Sequence, residues 1–262
     1  MHMEHIALNI DHLGMGTAPV NWSLVNRIRM QRLYYIRGGN GYYKTADGTF
    51  EKMIPHKIYI FPYNFYAEFQ SDSETPVDHI YFDFLSAPPI VADEPLVYDI
   101  LNDSALYTQI QYLEKVLKRF NLPKMTRQKV SSIVSAKEGS FDEECQIIYH
   151  SLYLLLLSLS HEHKIPFLND KAINEVLLYI RDNCGADLSL DKLAQISNFE
   201  KHYFIRRFKN IMGETPYAYI KKFRLMRARE LLGKGLSYQE AARQVGYKNG
   251  KTLWNALSVS KR

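Results

Sequence analysis

Cysteine is scarce in this chain: Cys145 and Cys184 are the two among 262 residues. They form no CxxC pair and show no metal-ligand spacing, so a disulfide framework and a zinc-ribbon type of site are excluded. Both read as reduced core thiols of a cytoplasmic protein. Long apolar runs are missing too. The most apolar stretch, Leu152 to Leu159, falls far short of the roughly 20 residues that span a bilayer, so no membrane partner is expected. The N-terminus, MHMEHIALNI, lacks the basic start and apolar stretch of a secretory signal, and the expectation is a soluble, cytoplasmic protein. No low-complexity segment interrupts the chain. The cluster Gly38-Gly39-Asn40-Gly41 is followed neither by a helix-forming segment nor by Gly-Lys-Ser/Thr, so it reads as a hairpin turn and not as a phosphate loop.

What the chain does have is an uneven charge. From Lys171 to Arg262 there are 18 Lys+Arg against 8 Asp+Glu, a net +10, whereas the first 170 residues carry 15 against 20, a net −5. A basic block behind an acidic one assigns any polyanion partner to the C-terminal part. The 46% hydrophobic content is ordinary for a globular protein, and the length suits one large or two modest domains.

The first third reads as β-structure. Leu33–Ile36, Gly41–Lys44, Ile58–Phe61 and His79–Phe84 are short aromatic and β-branched runs. Turn signals at Ala46-Asp47-Gly48, Ile54-Pro55 and Phe61-Pro62-Tyr63-Asn64 separate them, a spacing that predicts a sandwich or small barrel. The period then changes. Leu106, Ile110, Leu113, Leu117 and Phe120 make a helical seam that Leu122-Pro123 ends, and a second helix is predicted from Phe141 to about His161, with Asp142, Glu143 and Glu144 in its first turn. Both helices can simply cover the sheet, or one face of the second can form a dimer contact. Lys164 to Asp170, KIPFLND, is the candidate linker, with Pro166 as helix breaker. Domains are accordingly expected at 1–165 and 166–262. Ile173, Val176, Leu177 and Ile180 mark the helix that opens the second.

The C-terminal part holds one internal repeat. LSLDKLAQISNFEKHYFIRRFKNIMG, from Leu188 to Gly213, and LSYQEAARQVGYKNGKTLWNALSVSKR, from Leu236 to Arg262, each read as a short helix, a turn and a second helix bearing basic and polar side chains. A helix held that way fits the major groove of B-DNA. In the first unit Asp187 or Ser189 caps a helix carrying Leu190, Leu193, Ala194 and Ile196. Ala194 is small enough for a close helix crossing, and Ser197-Asn198 makes the turn. Phe204, Phe208 and Ile211 are predicted to point inward. Lys201, His202, Ile205, Arg206 and Lys209 lie on other faces and are the candidate DNA contacts. Arg can hold guanine bidentately, and Lys suits phosphate.

These residues carry a resemblance. Residues 171–262 are similar to the DNA-binding domain of AraC/XylS-family bacterial transcription regulators. The matching positions are His202 to Lys209, then Gly213, Thr215-Pro216 and Tyr219, then Arg224, Ala228 and Leu231-Leu232. The resemblance implies two units joined by a long helix, entering successive major grooves on one DNA face. The second unit matches in part, at Ser237, Glu240, Ala241-Ala242, Val245, Gly246-Tyr247, Thr252 and Leu253. It departs at Asn255, where the family shows Arg, and at Leu257-Ser258, where it shows Phe-Lys. The chain also ends at Arg262, ahead of the family's usual Gly-x-Ser/Thr-Pro segment and final helix, so a shortened second unit is expected. By the resemblance Lys251, Thr252, Trp254 and Asn255 would face bases, with inward packing the alternative for Trp254. Asn reads adenine bidentately, so Asn255 is expected to alter specificity and not to abolish contact.

Residues 1–165 resemble, less specifically, the cupin-like effector-binding and dimerisation domain of that family, through Tyr35 to Gly41, Ile58 to Pro62 and His79 to Phe84. The resemblance implies ligand contacts from Arg37 and Tyr81, with His79 as a third. Arg and an aromatic face suit a polyol, so a sugar or related metabolite is the expected effector; a surface charge at Arg37 and a core aromatic at Tyr81 are the plain alternatives. A cupin fold also raises a metal-enzyme reading. However, His56 and His79 stand far apart, and the one HxH, His161-Glu162-His163, sits at a predicted helix end. No catalytic residue, metal or cofactor is therefore assigned. The overall expectation is a dimeric, two-domain regulator, β followed by all-α. It binds double-stranded DNA and a small-molecule effector, and it acts through RNA polymerase as an activator. A low-specificity DNA binder and a cupin-type sugar-binding protein or enzyme are the alternatives from other classes.

Overall fold

The computed structural model describes residues 6–19, 22–26, 30–44, 47–119, 141–163 and 165–259. Phe120, the Leu122-Pro123 stop and Lys164 lie outside the described residues, as do the side chains of Asp142, Glu143, Glu144, Cys145, Glu162 and His163. The chain divides into two units, the first running through Phe167 and the second starting at Leu168.

Among the described residues the first unit has nine strands: β1 (Ala7–Thr17), β2 (Ser23–Asn26), β3 (Gln31–Gly38), β4 (Gly41–Lys44), β5 (Phe50–Met53), β6 (Lys57–Phe61), β7 (Ala67–Ser71), β8 (Asp78–Ala87) and β9 (Leu96–Asp99). They form two antiparallel sheets, ordered β1-β8-β3-β6-β9 and β2-β7-β4-β5. Each of the four aromatic runs falls inside a strand. The strands the sequence hid are those without such a run. β5 is exposed along most of its length, and β1 is interrupted by a register shift between Ile10 and His12. Tyr34, Ile36, Tyr59 and Phe61 of one sheet meet Tyr43, Met53, Ala67 and Phe69 of the other in a shared core. Rings there pack edge to face, as the aromatic quadrupole favours; Phe61 and Phe69 lie 4.8 Å apart at 88°. β3 is buried from Gln31 to Ile36 without alternation, because both of its faces are covered. Even-numbered residues enter the shared core. Tyr35 and Arg37 turn toward the helix α1 (Ser104–Arg119), where Arg37 Nε lies 3.1 Å from Glu114.

Asp103 starts α1, its carboxylate accepting from the N–H of Ala105 and Leu106. The seam Leu106, Ile110, Leu113 and Leu117 is buried, as are Leu152, Leu155, Leu156 and Leu159 of α2 (Phe141–His163). Gln109 donates to Ser158 across this pair at 2.8 Å. α2 leaves Ile147, Leu154 and Leu157 exposed on its other side.

The second unit is all helical: α3 (Lys171–Asp182), α4 (Leu190–Ile196), α5 (Lys201–Met212), α6 (Pro216–Gly233), α7 (Tyr238–Gln244) and α8 (Gly250–Val259). Local chemistry sets the boundaries. Asp170, Ser189, Glu200, Thr215 and Ser237 cap α3 to α7, Pro216 takes the first position of α6, and Ser237 with Glu240 forms a reciprocal capping box. Of the two cap candidates for α4, Ser189 fills the position; Asp187, two residues before it, accepts the Ser189 N–H. α5 ends on Gly213 in the left-handed region, φ 64°, where glycine alone carries no Cβ penalty. Its buried face is Phe204, Phe208 and Met212, and Ile211, expected inward, is half-buried. The register explains the shift: Met212 lies four residues beyond Phe208 and continues its stripe.

Phe208 packs against Phe204 at 5.8 Å and Tyr219 of α6 at 5.7 Å, and it is fully buried. Phe208→Ala is expected to destabilise the second unit by about 3–5 kcal/mol, read as an earlier urea midpoint in the circular dichroism of its helices. A loss below about 1 kcal/mol would mean that the ring is not part of this core.

Candidate nucleic-acid interface

The first recognition helix is placed by a tight turn. Ala194 is buried beneath it. Ser197 Oγ donates to the Ala194 carbonyl at 2.9 Å, the Phe199 N–H donates to the same carbonyl at 3.0 Å, and Asn198 takes φ 54°, a conformation that asparagine tolerates better than most residues. Glu200 then accepts the N–H groups of His202 and Tyr203 at 2.8 and 3.0 Å. Those two bonds pull its carboxyl below the ordinary range, so the cap is ionised at neutral pH.

Beyond that cap, His202, Arg206 and Lys209 are exposed, and Ile205 is half-buried. Lys201 is the candidate with a prior engagement, its Nζ 3.0 Å from Asp191 of α4. The two adjacent arginines have different surroundings. Arg206 has no hydrogen bond or ion pair among the described residues. Arg207 donates from Nε and Nη2 to Asp170 at 3.0 and 2.6 Å and lies over the Phe199 ring. Asp170 also caps α3, so Arg207 pins α5 to α3.

In the second unit Ala241 and Ala242 are fully buried at the crossing. Gly246 turns at φ 76°. Asn249 caps α8: its Oδ1 accepts the Thr252 N–H at 2.9 Å, while Thr252 Oγ1 donates to the Asn249 carbonyl at 2.8 Å. Gln239 of α7 accepts the Gly250 N–H at 2.9 Å, tying the two helices together. Leu253 and Leu257 point inward. Lys251, Thr252, Trp254 and Asn255 are exposed. Trp254, at 53% exposure, takes the outward of its two alternatives.

A feature not visible in the sequence holds the two helix-turn-helix halves of the helical unit together. Arg224 of α6 donates to the carbonyls of Cys184 and Ala186, just after α3, at 2.8 and 2.9 Å. Gly246, from the second unit, lies against the same guanidinium; a Cβ there would come within 2.7 Å of Nη2. Gly185 faces the Gln244 carbonyl so closely that a Cβ would clash with it. Cys184 is buried and free, and burial raises its thiol pKa. Arg224, Gly185 and Gly246 thus lock the end of α3, the middle of α6 and the turn after α7.

The proposed effector residues divide. His79 and Tyr81 share a face of β8, their rings 5.9 Å apart, with Trp22 and Tyr34 also against His79 at 5.7 and 4.9 Å. Arg37 does not join them. It lies on the other face of β3, paired with Asp78 and Glu114. The strand period of two requires this, since Arg37 is an odd step from core-facing Tyr34 and Ile36. The arginine near His79 is instead Arg32, overlooked in the sequence, which is buried and bonded to Asp83 through Nε and Nη2 at 2.5 and 2.6 Å. Counting back by two from Tyr34 would have found it. Burial opposes the charge of Arg32, and the Asp83 carboxylate more than restores it. Among the described residues no three His, Cys, Asp or Glu side chains gather to hold a metal, and no helix is long and apolar enough to cross a membrane.

Residues 193–257 match a family described as a helix-turn-helix domain. The chain is 25% identical over 101 residues to the HTH-type transcriptional regulator YbfI of Bacillus subtilis, 37% of each chain. It is 33% identical over 72 residues to the HTH-type transcriptional activator AarP of Providencia stuartii, 28% of this chain and 53% of that one. It thus spans between about a third and about half of the length of these curated relatives. The crystal structure of ToxT from Vibrio cholerae shares the fold across 97% of this chain and 92% of its own, with a TM-score of 0.53 at 11% identity. A second ToxT structure, with (E)-4-(8-methylnaphthalen-1-yl)but-3-enoic acid bound, aligns with a TM-score of 0.54 at 9% identity, covering 97% of this chain and 94% of that one.

Burial pushes His79 down from its ordinary pKa of 6.5 to about 3. Between those values the unfolded chain takes up a proton that the fold refuses, so stability falls as pH drops from about 6.5 toward about 3. His79→Phe should remove this part of the acid sensitivity. Thermal unfolding at pH 7 and 4.5 should show the wild type losing about 2 kcal/mol more than the variant; equal losses would show that His79 is not held neutral in the fold.

Proposed function

We propose that this chain, whose C-terminal unit is a helix-turn-helix domain of the AraC type, is a cytoplasmic, sequence-specific transcription regulator that binds double-stranded DNA through both recognition helices. One observation carries the reading. Two helices, α5 and α8, each bury one face in a common scaffold and turn exposed polar side chains outward, in the part of the chain where basic residues are concentrated. His202, Ile205, Arg206 and Lys209 serve the first helix and Lys251, Thr252, Trp254 and Asn255 the second, with Lys201 reaching DNA once it releases Asp191. Arg206 is the residue best suited to hold guanine bidentately, and Lys209 and Lys251 suit phosphate.

The β unit holds a small-molecule effector on the face shared by His79 and Tyr81. A sugar or related metabolite matches their combination of ring faces and polar atoms; the acid bound to ToxT supports a carboxylic acid as a second reading. The effector acts through a difference in affinity between two arrangements of the protein. α2 pairs two copies through the side that bears Leu154 and Leu157. RNA polymerase contact makes the protein an activator, a role that AarP's name supports.

Arg206→Ala is expected to weaken binding to a selected operator by about 1–3 kcal/mol and to leave thermal unfolding unchanged, because the side chain is exposed. Equal loss on operator and random duplex, or unfolding like that of Phe208→Ala, would remove Arg206 from base readout. An affinity that falls steeply with salt and does not depend on sequence would favour the low-specificity alternative.

A further inference from the structure

The outward faces of the two recognition helices differ in chemistry. The first presents Arg206, unengaged, with exposed His202 and Lys209 beside it. The second presents no arginine among its described residues. Asn255 is exposed, and its amide has no hydrogen bond among the described residues. Thr252 is exposed too, but its hydroxyl is used in the α8 cap, donating to the Asn249 carbonyl and accepting the Asn249 N–H at 3.3 Å. What Thr252 has left to offer is its methyl group. Trp254, more than half exposed, adds a large apolar surface one residue before Asn255. Lys251, one turn earlier, supplies a charge suited to phosphate.

In the major groove these groups have distinct partners. Arginine pairs bidentately with guanine O6 and N7, asparagine with adenine N6 and N7, and apolar groups contact the thymine methyl. We infer that the two units read half-sites of different composition: the α5 half-site contains a guanine held by Arg206, and the α8 half-site is A·T, with an adenine held by Asn255 and thymine methyls packed on Thr252 and Trp254. This inference rests on the regulator reading given above. It makes the operator asymmetric within one protomer's footprint and assigns the second unit's specificity to one hydrogen-bonding residue and two apolar ones.

The test is selection from a random-sequence duplex library by the full-length protein and by Asn255→Arg, with both proteins checked for folding by circular dichroism. The wild type should enrich a bipartite motif, guanine-containing in one half and A·T in the other. Replacing the key adenine pair by G·C should cost about 5- to 150-fold in affinity. Asn255→Arg should change the preferred base at that position to guanine and leave the other half of the motif unaltered. A wild-type motif with guanine in both halves, or a variant motif identical to the wild type, overturns the inference and leaves the regulator reading standing. No enriched motif for the wild type, with binding set by salt alone, overturns both. Trp254→Ala provides an independent reading: it should lower discrimination at thymine positions in the A·T half alone, and loss spread across both halves would count against the assignment.

Discussion

The DNA-binding unit depends on the two hydrogen bonds that Arg224 donates to the chain leaving α3. A guanidinium in the middle of a connecting helix reaches carbonyls 38 and 40 residues earlier in sequence, and glycine at positions 185 and 246 lets the neighbouring backbones close around it. Charge-assisted bonds of this kind are stronger than neutral ones, and these occupy carbonyls that would otherwise need solvent. The outcome is geometric: the chain leaving α3, the middle of α6 and the turn after α7 are tied at one point, so α4 with α5 and α7 with α8 share one scaffold.

The β unit is built on a different constraint. Its central strands are covered on both faces, one by the aromatic core and one by helices, so each polar residue in them needs a partner. Arg32 and Asp83 provide for each other. Gln31 donates to Ser86, which in turn donates to the Pro88 carbonyl. His79 is accommodated by remaining neutral among rings.

The helical elements were largely legible in the sequence. Repeats such as Ile173, Val176, Leu177, Ile180 and Leu106, Ile110, Leu113, Leu117 encode burial directly through the 3.6-residue period, and caps such as Ser237 with Glu240 mark helix starts by local bonding. The β unit was less legible. β5 and β9 are edge strands with largely exposed faces, and no strong alternation marks them. Arg37 was placed with His79 and Tyr81 by resemblance, whereas strand parity turns it toward Glu114 and sets Arg32 in the vicinity.

By itself, then, the sequence determined where helices begin and end, which of their faces are apolar, and that the basic residues collect behind a β region. These follow from interactions within a few residues along the chain. Tertiary structure alone decided that Arg206 has no hydrogen bond among the described residues while Arg207 is bound to Asp170, that Trp254 lies outside, that Thr252 spends its hydroxyl on a cap, and that Arg224 joins the two helix-turn-helix halves. Each depends on which distant groups come within hydrogen-bonding or packing range, and that is set by the closing of the chain and not by the order of its residues.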